Sequence, residues 1–175
     1  MSPVDLAIDR RPSNSGELAR LLGWLALPLA VGGLSGWLTA GGVSTWYQTL
    51  EAPVFAPPDW VFGPVWTALY LMMGLAAYLV SRASRLSGSA EGVGSRALPL
   101  FLAQLVLNGL WSLLFFGLQS PGLALIEILI LWLAIGATVR EFAGLSRPAA
   151  VLLLPYWAWV TFATVLNGAF WWLNR

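Results

Sequence analysis

The chain has 175 residues, of which 58% are hydrophobic and 10% are charged, and its formal net charge is +1. Soluble domains usually carry about 45–50% apolar and ~25% charged residues, so a water-soluble fold is excluded and a lipid bilayer is the expected solvent. The chain has no cysteine and no histidine, which excludes disulfides, Cys–His catalysis and the usual ligands of zinc and haem iron. The sequence therefore predicts no metal site, and the small net charge predicts no nucleic-acid partner.

Five apolar segments follow a polar N-terminal arm at residues 1–17, and together they predict one transmembrane domain at 18–175. Each segment is near the ~20 residues that an α-helix needs to cross the hydrocarbon core. The predicted fold is an all-α integral membrane bundle of five transmembrane helices. The expected spans lie at 19–39, 60–81, 97–117, 121–139 and 149–172.

Arginine placement predicts the orientation of these helices. All nine cationic residues are arginines; eight precede the first span or lie in the connections after the second and fourth spans, and Arg175 ends the chain. With five spans, those three regions share one side of the membrane. Because cytoplasmic loops carry an excess of Lys and Arg, we predict a multi-pass membrane protein with a cytoplasmic N-terminus and an external C-terminus.

The connection at residues 40–59, on the predicted outer side, is long and rich in aromatic and proline residues. Two interpretations are open: a structured lid over a cavity, or a loop that lies among the lipid headgroups. Proline restricts the backbone of such a loop, which favours the lid. The residues expected to form it are Trp46, Tyr47, Pro57, Pro58 and, at the start of the next span, Trp60.

Unusual side chains from separate spans are expected at a common depth. At 1.5 Å per residue, Trp66, Trp111 and Glu127 lie about 9 Å below the outer ends of their spans. By the same estimate Asn167 lies about 8 Å deep. Polar and aromatic groups of four helices therefore reach the outer half of the membrane, on the side of the long connection.

Span 3 carries amides and aromatic rings on one face. Gln104, Asn108, Trp111 and Phe115 follow the i, i+4, i+7, i+11 spacing of a helix face. Amides in hydrocarbon need partners, so this face must look into protein or into a cavity. It is either a ligand-binding surface or a set of hydrogen bonds between helices.

Spans 4 and 5 contribute further candidates. Trp159, Ala163 and Leu166 share one face of span 5, with Asn167 beside them. Glu127 is the only acid well inside a predicted span, and an intramembrane carboxylate usually marks a functional site. A structural hydrogen bond is the other interpretation of Glu127.

Several motifs occur in order along residues 19–175 and carry a family resemblance. They include Trp46-Tyr47-x-x-Leu50-x-x-Pro53, Pro57-Pro58-x-Trp60-x-Phe62, Val65-Trp66-x-x-Leu69-Tyr70, Asn108-x-x-Trp111 and Ala163-Thr164-x-Leu166-Asn167. This pattern resembles the tryptophan-rich sensory proteins, bacterial relatives of the mitochondrial translocator protein, also called the peripheral benzodiazepine receptor. The resemblance implies a homodimeric five-helix bundle in the lipid bilayer, with a porphyrin pocket under the first loop. The implied pocket residues are Trp66, Asn108, Trp111, Glu127, Trp159, Ala163 and Leu166.

Residues and resemblance together lead to one preferred function and two alternatives. The preferred function is a membrane receptor or sensor that binds protoporphyrin, or haem, in a tryptophan-lined pocket and regulates tetrapyrrole metabolism or a stress response. The pocket would take a porphyrin or another flat apolar ligand, with no obligatory cofactor, and would add Phe115 and Asn167 to the implied residues. The alternatives are light-dependent degradation of porphyrin, with roles for Trp66 and Trp159, and facilitated transport of porphyrin or lipid.

Overall fold

The computed structural model describes residues 14–86 and 96–175 of the chain. Within them, five long helices are each long and apolar enough to cross a membrane, which confirms the predicted five-helix membrane bundle. A π-helical turn at Leu113–Gly117 continues the third helix. The helices are α1 (Asn14–Ser44), α2 (Phe62–Leu86), α3 (Ala97–Ser112), α4 (Pro121–Leu145) and α5 (Arg147–Leu173).

Helix α1 extends beyond the predicted span at both ends. It begins at Asn14 and ends at Ser44, so it includes the last residues of the predicted polar arm, whereas residues 1–13 lie outside the described part. Glu17, in the first turn of α1, forms an ion pair with Arg20 one helical turn later, with an N–O distance of 2.9 Å. Pairs with this spacing stabilise a helix, although hydropathy alone places such residues outside it.

Tight turns make the last three helices antiparallel neighbours. Between α3 and α4, Gln119 adopts the left-handed conformation (φ 53°), and the Ser120 amide donates to the Leu114 carbonyl at 3.1 Å. Between α4 and α5, the Ser146 hydroxyl accepts a hydrogen bond from the Ala149 amide and caps α5. A serine at this position satisfies a backbone N–H that the helix itself leaves unpaired.

Helix α1 packs at the edge of the bundle. Only 11% of the residues in its most apolar window are buried, compared with 33% in each of the other four helices. It is held against α2 at Gly74, where an added Cβ would lie 2.5 Å from the Trp24 carbonyl oxygen. The missing side chain therefore allows the two backbones to approach closely.

Candidate ligand-binding cavity

A cavity of about 310 Å³ lies among α1, α2, the α3 segment with its π-helical turn, and α5. Its volume falls in the usual range of small-molecule sites, and its wall is mostly apolar and aromatic, as such sites usually are. The wall residues are Gly32, Gly36, Thr39, Val43, Tyr47, Asp59, Phe62, Gly63, Trp66, Tyr70, Asn108, Trp111, Ser112, Phe115, Phe116, Trp159, Ala163, Leu166, Asn167 and Phe170.

A chain of hydrogen bonds runs from the cavity wall into the core. The Tyr70 hydroxyl donates to Asn108 Oδ1 at 2.8 Å, and Asn108 Nδ2 donates to the Tyr156 hydroxyl at 3.2 Å. The Tyr156 hydroxyl in turn donates to Gln104 Oε1 at 2.9 Å. These bonds connect α2, α3 and α5, so the two buried amides of α3 form hydrogen bonds between helices. Asn108 also lines the cavity, so its predicted role in ligand binding stays a prediction beside the observed hydrogen bonds between helices.

Trp111 is positioned by a second polar contact. Its indole Nε1 donates to Asn167 Oδ1 at 3.0 Å, and Asn167 Nδ2 donates to the Pro121 carbonyl at 2.8 Å. These two bonds tie α3 and α5 to the first residue of α4. The Trp111 ring also stacks on Phe115, with centroids 5.2 Å apart and planes at 28°. The orientation of this wall residue is therefore set by contacts on two sides.

The first loop, residues 45–58, folds onto the end of the bundle and contributes Tyr47 to the wall. The Tyr47 ring lies 5.4 Å from the rings of both Phe116 and Phe170, measured between centroids. Burial of the phenol, and then the charge of the Asp59 carboxylate, raise the pKa of Tyr47. The phenol therefore stays neutral at physiological pH, as an aromatic group over an apolar cavity must.

Asn174, at the end of α5, holds the middle of the first loop. The Glu51 amide donates to Asn174 Oδ1 at 2.8 Å, and Asn174 Nδ2 donates back to the Glu51 carbonyl at 3.0 Å. This reciprocal pair of hydrogen bonds joins two residues that are 123 positions apart in the sequence and holds the loop backbone in place. The middle of the loop is therefore ordered against the end of α5, and its action as a lid stays a prediction.

Comparison with known proteins identifies the family. The model of the TspO/MBR family matches residues 24–173 of the chain. The chain belongs to the TspO/MBR family. It is 40% identical over 158 residues to the tryptophan-rich protein TspO of Archaeoglobus fulgidus, covering 90% of this chain and 99% of that protein.

Two further relatives extend the comparison within the TspO/MBR family. The translocator protein of Bos taurus is 38% identical over 155 residues, which cover 88% of this chain and 89% of that protein. The tryptophan-rich sensory protein of Cereibacter sphaeroides is 42% identical over 122 residues, covering 70% of this chain and 72% of that protein. The resemblance inferred from the tryptophan and proline motifs is therefore confirmed.

The structure brings eight of the nine predicted ligand-binding residues into this one wall. Of the residues predicted in the lid, Tyr47 alone lines the cavity, while Trp46 packs its ring against Phe115 at 5.8 Å. Pro57, Pro58 and Trp60 lie outside the wall, and 74% of Trp60 is exposed. The eight wall residues are Trp66, Asn108, Trp111, Phe115, Trp159, Ala163, Leu166 and Asn167.

Glu127 is the predicted binding residue that does not reach the wall. It is only 6% exposed on α4, and neither carboxyl oxygen has a hydrogen-bond partner among the described residues. None of the wall residues belongs to α4. The rise per residue predicts how deep Glu127 lies but not which way its side chain points around the helix axis. For this reason the sequence placed Glu127 in the wall, whereas the structure does not.

The sequence interpretation missed the contribution of α1. Gly32 and Gly36 line the cavity; a Cβ on Gly32 would overlap the Tyr70 ring, and a Cβ on Gly36 would meet nothing within 4 Å. Glycines at this spacing often mark a close contact between membrane helices. Gly36 instead borders the open space of the cavity. Tyr70 was also missed as a site residue, although it belongs to one of the family motifs.

Proposed function

We propose that this member of the TspO/MBR family is a membrane receptor that binds a porphyrin in the cavity under the first loop. One observation carries the proposal: Trp66, Trp111 and Trp159, from three different helices, line a single cavity. Indole rings bind flat aromatic ligands through stacking and through buried area. A regulatory role in tetrapyrrole metabolism or stress is the function that such binding would serve.

The amides of the wall are already engaged in protein contacts. Asn108 and Asn167 each already use both ends of their amide in protein contacts, so they offer limited hydrogen bonding to a ligand. Affinity would then depend on aromatic contact. The cavity volume of about 310 Å³ lies at the lower end of the range for ligand sites, so we expect the first loop to move outward as the ring enters.

Free protoporphyrin should bind at least as well as haem. Haem iron is usually held by histidine, cysteine, methionine or tyrosine. The chain has no histidine or cysteine, and no methionine is among the wall residues. Tyr47 and Tyr70 lie in the wall, but the Tyr70 hydroxyl is engaged with Asn108. Much tighter binding of haem, with a two-ligand low-spin spectrum, would contradict this proposal.

Protoporphyrin titration of the purified full chain in detergent tests the proposal. We expect Trp66→Ala to weaken binding by about tenfold, which corresponds to ~1.4 kcal/mol of lost contact. Asn108→Ala should also weaken binding, because it removes the hydrogen bond that holds the Tyr70 hydroxyl in the wall. Both quenching of the remaining tryptophans and the shift of the porphyrin absorption band should be followed, since the first readout itself changes when a tryptophan is removed.

Trp60→Ala is the matched control for this titration. It makes the same substitution at a residue that is 74% exposed and outside the wall, so the affinity should stay at the wild-type value. Equal losses in Trp60→Ala and Trp66→Ala would contradict a site in the cavity. They would instead indicate porphyrin adsorbed to the surface of the micelle-bound protein.

A further inference from the structure

A second cleft opens at the other end of the bundle, between the first turns of α1 and the last turns of α2. Its volume is about 390 Å³, and it is lined by Glu17, Arg20, Arg82, Arg85 and Leu86. The porphyrin cavity uses the opposite halves of these two helices, so the two cavities are separate. Three guanidinium groups and one carboxylate give this cleft a net positive charge.

Glu17 orders two of the three arginines. Its carboxylate accepts hydrogen bonds from Arg20 at 2.9 Å and from Arg85 at 3.2 Å, and the Tyr78 hydroxyl donates to it at 3.0 Å. Arg85 also donates to the Ser81 hydroxyl at 3.3 Å. Each guanidinium has five N–H donors, so both arginines keep donors free while their stems are held in place.

Arg82 is the cation of the cleft that Glu17 does not neutralise. It is exposed, and within residues 14–86 and 96–175 its side chain forms neither a hydrogen bond nor an ion pair. One carboxylate therefore faces three cations, and two positive charges remain for a ligand. A planar guanidinium binds phosphate through two parallel N–H bonds, which makes phosphate the anion that best suits this donor set.

Exposed leucines lie at the same end of the bundle, and one of them, Leu86, lines the cleft. Leu18 is 56% exposed, Leu22 is 55% exposed and Leu86 is 78% exposed. Apolar side chains next to arginines at the end of a membrane helix mark the level of the lipid headgroups. Basic pockets between transmembrane helices are known to bind phospholipid head groups. Acyl chains could lie on the leucines while the phosphate contacts the arginines.

We propose that this cleft binds a phosphate group through Arg20, Arg82 and Arg85, with Glu17 holding two of them in position. The phosphate is carried either by an anionic phospholipid or by a soluble phosphate compound, and the chemistry of recognition is the same for both. The site is independent of porphyrin binding.

The full chain in nanodiscs tests this site. Discs of phosphatidylcholine alone are compared with discs that also contain phosphatidylglycerol, and retained lipid is counted by native mass spectrometry after gentle release. Arg82→Gln is the main variant because this residue makes no contact that the fold needs. Because Arg82→Gln removes a charge-assisted contact between guanidinium and phosphate, it should reduce phosphatidylglycerol retention by about tenfold.

Arg140→Gln is the matched control. It removes the same charge from an exposed position near the end of α4, at the same end of the bundle but outside the cleft. Retention in this control should equal that of the wild type. Equal losses in Arg82→Gln and Arg140→Gln would overturn the proposal, because they would reflect general surface charge.

A second arm separates the two sources of phosphate. Inorganic phosphate is added to the protein in phosphatidylcholine discs, and thermal unfolding is followed against a chloride control of equal ionic strength. Stabilisation that Arg82→Gln abolishes supports a soluble phosphate ligand, whereas selective retention of phosphatidylglycerol supports a lipid. If neither effect depends on Arg82, the proposal is wrong. Porphyrin affinity should be unchanged in all these variants.

Discussion

At the scale of single residues, Asn108 connects three helices at the cavity wall. It accepts a hydrogen bond from Tyr70 on α2 and donates one to Tyr156 on α5, and it is itself only 4% exposed. Hydrogen bonds between membrane helices contribute about 0.6 kcal/mol on average and up to about 1.7 kcal/mol. Asn108 therefore affects both the cavity wall and the packing of three helices.

We predict that Asn108→Leu destabilises the bundle by about 1–2 kcal/mol, because the buried Tyr70 hydroxyl loses its acceptor. Tyr70→Phe removes that hydroxyl while keeping the ring that stacks on Trp66. The double variant should therefore lose less unfolding free energy than the sum of the losses in the two single variants. Reversible unfolding in mixed micelles measures all three. Strictly additive losses would show that the two groups do not interact.

At the scale of elements, the first loop is attached to the end of α5 beside the cavity. The loop backbone at Glu51 is held by the side chain of Asn174, at the end of α5. The rings of Trp46 and Tyr47 then lie over the π-helical turn and the end of α5. Opening the loop requires breaking these contacts, so the rate of opening should depend on Asn174.

We predict that Asn174→Ala speeds both binding and release of porphyrin and increases hydrogen exchange at the Glu51 amide. Stopped-flow absorbance and exchange mass spectrometry measure the two effects. Gln48→Ala is the control, since the Gln48 side chain makes only 3.4 Å contacts, to the Val43 carbonyl and to Asp59. Unchanged rates in Asn174→Ala would mean that the ligand enters by another route.

Close packing of α1 on α2 depends on Gly74. An added Cβ there would lie 2.5 Å from the Trp24 carbonyl oxygen and 2.7 Å from Leu25 Cα, and backbone atoms cannot move aside as a side-chain end can. We predict that Gly74→Ala destabilises the protein by about 1–3 kcal/mol through overpacking. Gly33→Ala, with nothing within 4 Å of its Cβ, should be neutral or stabilising by up to ~1 kcal/mol. Unfolding in micelles compares the two; equal effects would contradict a tight contact at Gly74.

At the scale of the whole molecule, the charges separate along the bundle. Arg20, Arg82 and Arg85 meet at one end, whereas Arg175 lies at the other, with its guanidinium 3.4 Å from the centroid of the Trp172 ring. This distribution is the basis for the predicted orientation, which remains a prediction. It would place the tryptophan-lined cavity and its loop on the external half of the membrane and the arginine-lined cleft on the cytoplasmic side.

Labelling of single cysteines tests that orientation directly, because the natural chain has no cysteine to remove. Gln119→Cys lies in the turn between α3 and α4, and Ala143→Cys lies near the end of α4; both positions are exposed. We predict that an impermeant maleimide labels Gln119→Cys in intact cells and labels Ala143→Cys only after permeabilisation. The reverse pattern would invert the topology and place the loop in the cytoplasm.

The number of helices, their order and the depth of each unusual residue follow from the sequence alone. Hydropathy is a sum over neighbouring residues, and a helix advances by a constant rise, so both quantities are local. Helix ends were predicted less well: α1 begins at Asn14 because a contact between Glu17 and distant Arg85 supports a turn that hydropathy assigns to the polar arm.

What only the tertiary structure decided is the direction in which each helix faces. Trp66, Trp111 and Glu127 have the same predicted depth, yet the two tryptophans line the cavity and Glu127 lies elsewhere in the bundle. Gly36 lines the cavity because it has no side chain to fill the space beside it. Rotation of a helix about its axis is fixed by contacts with residues far away in the chain, such as Tyr70 with Asn108, and no local pattern encodes which of them will meet.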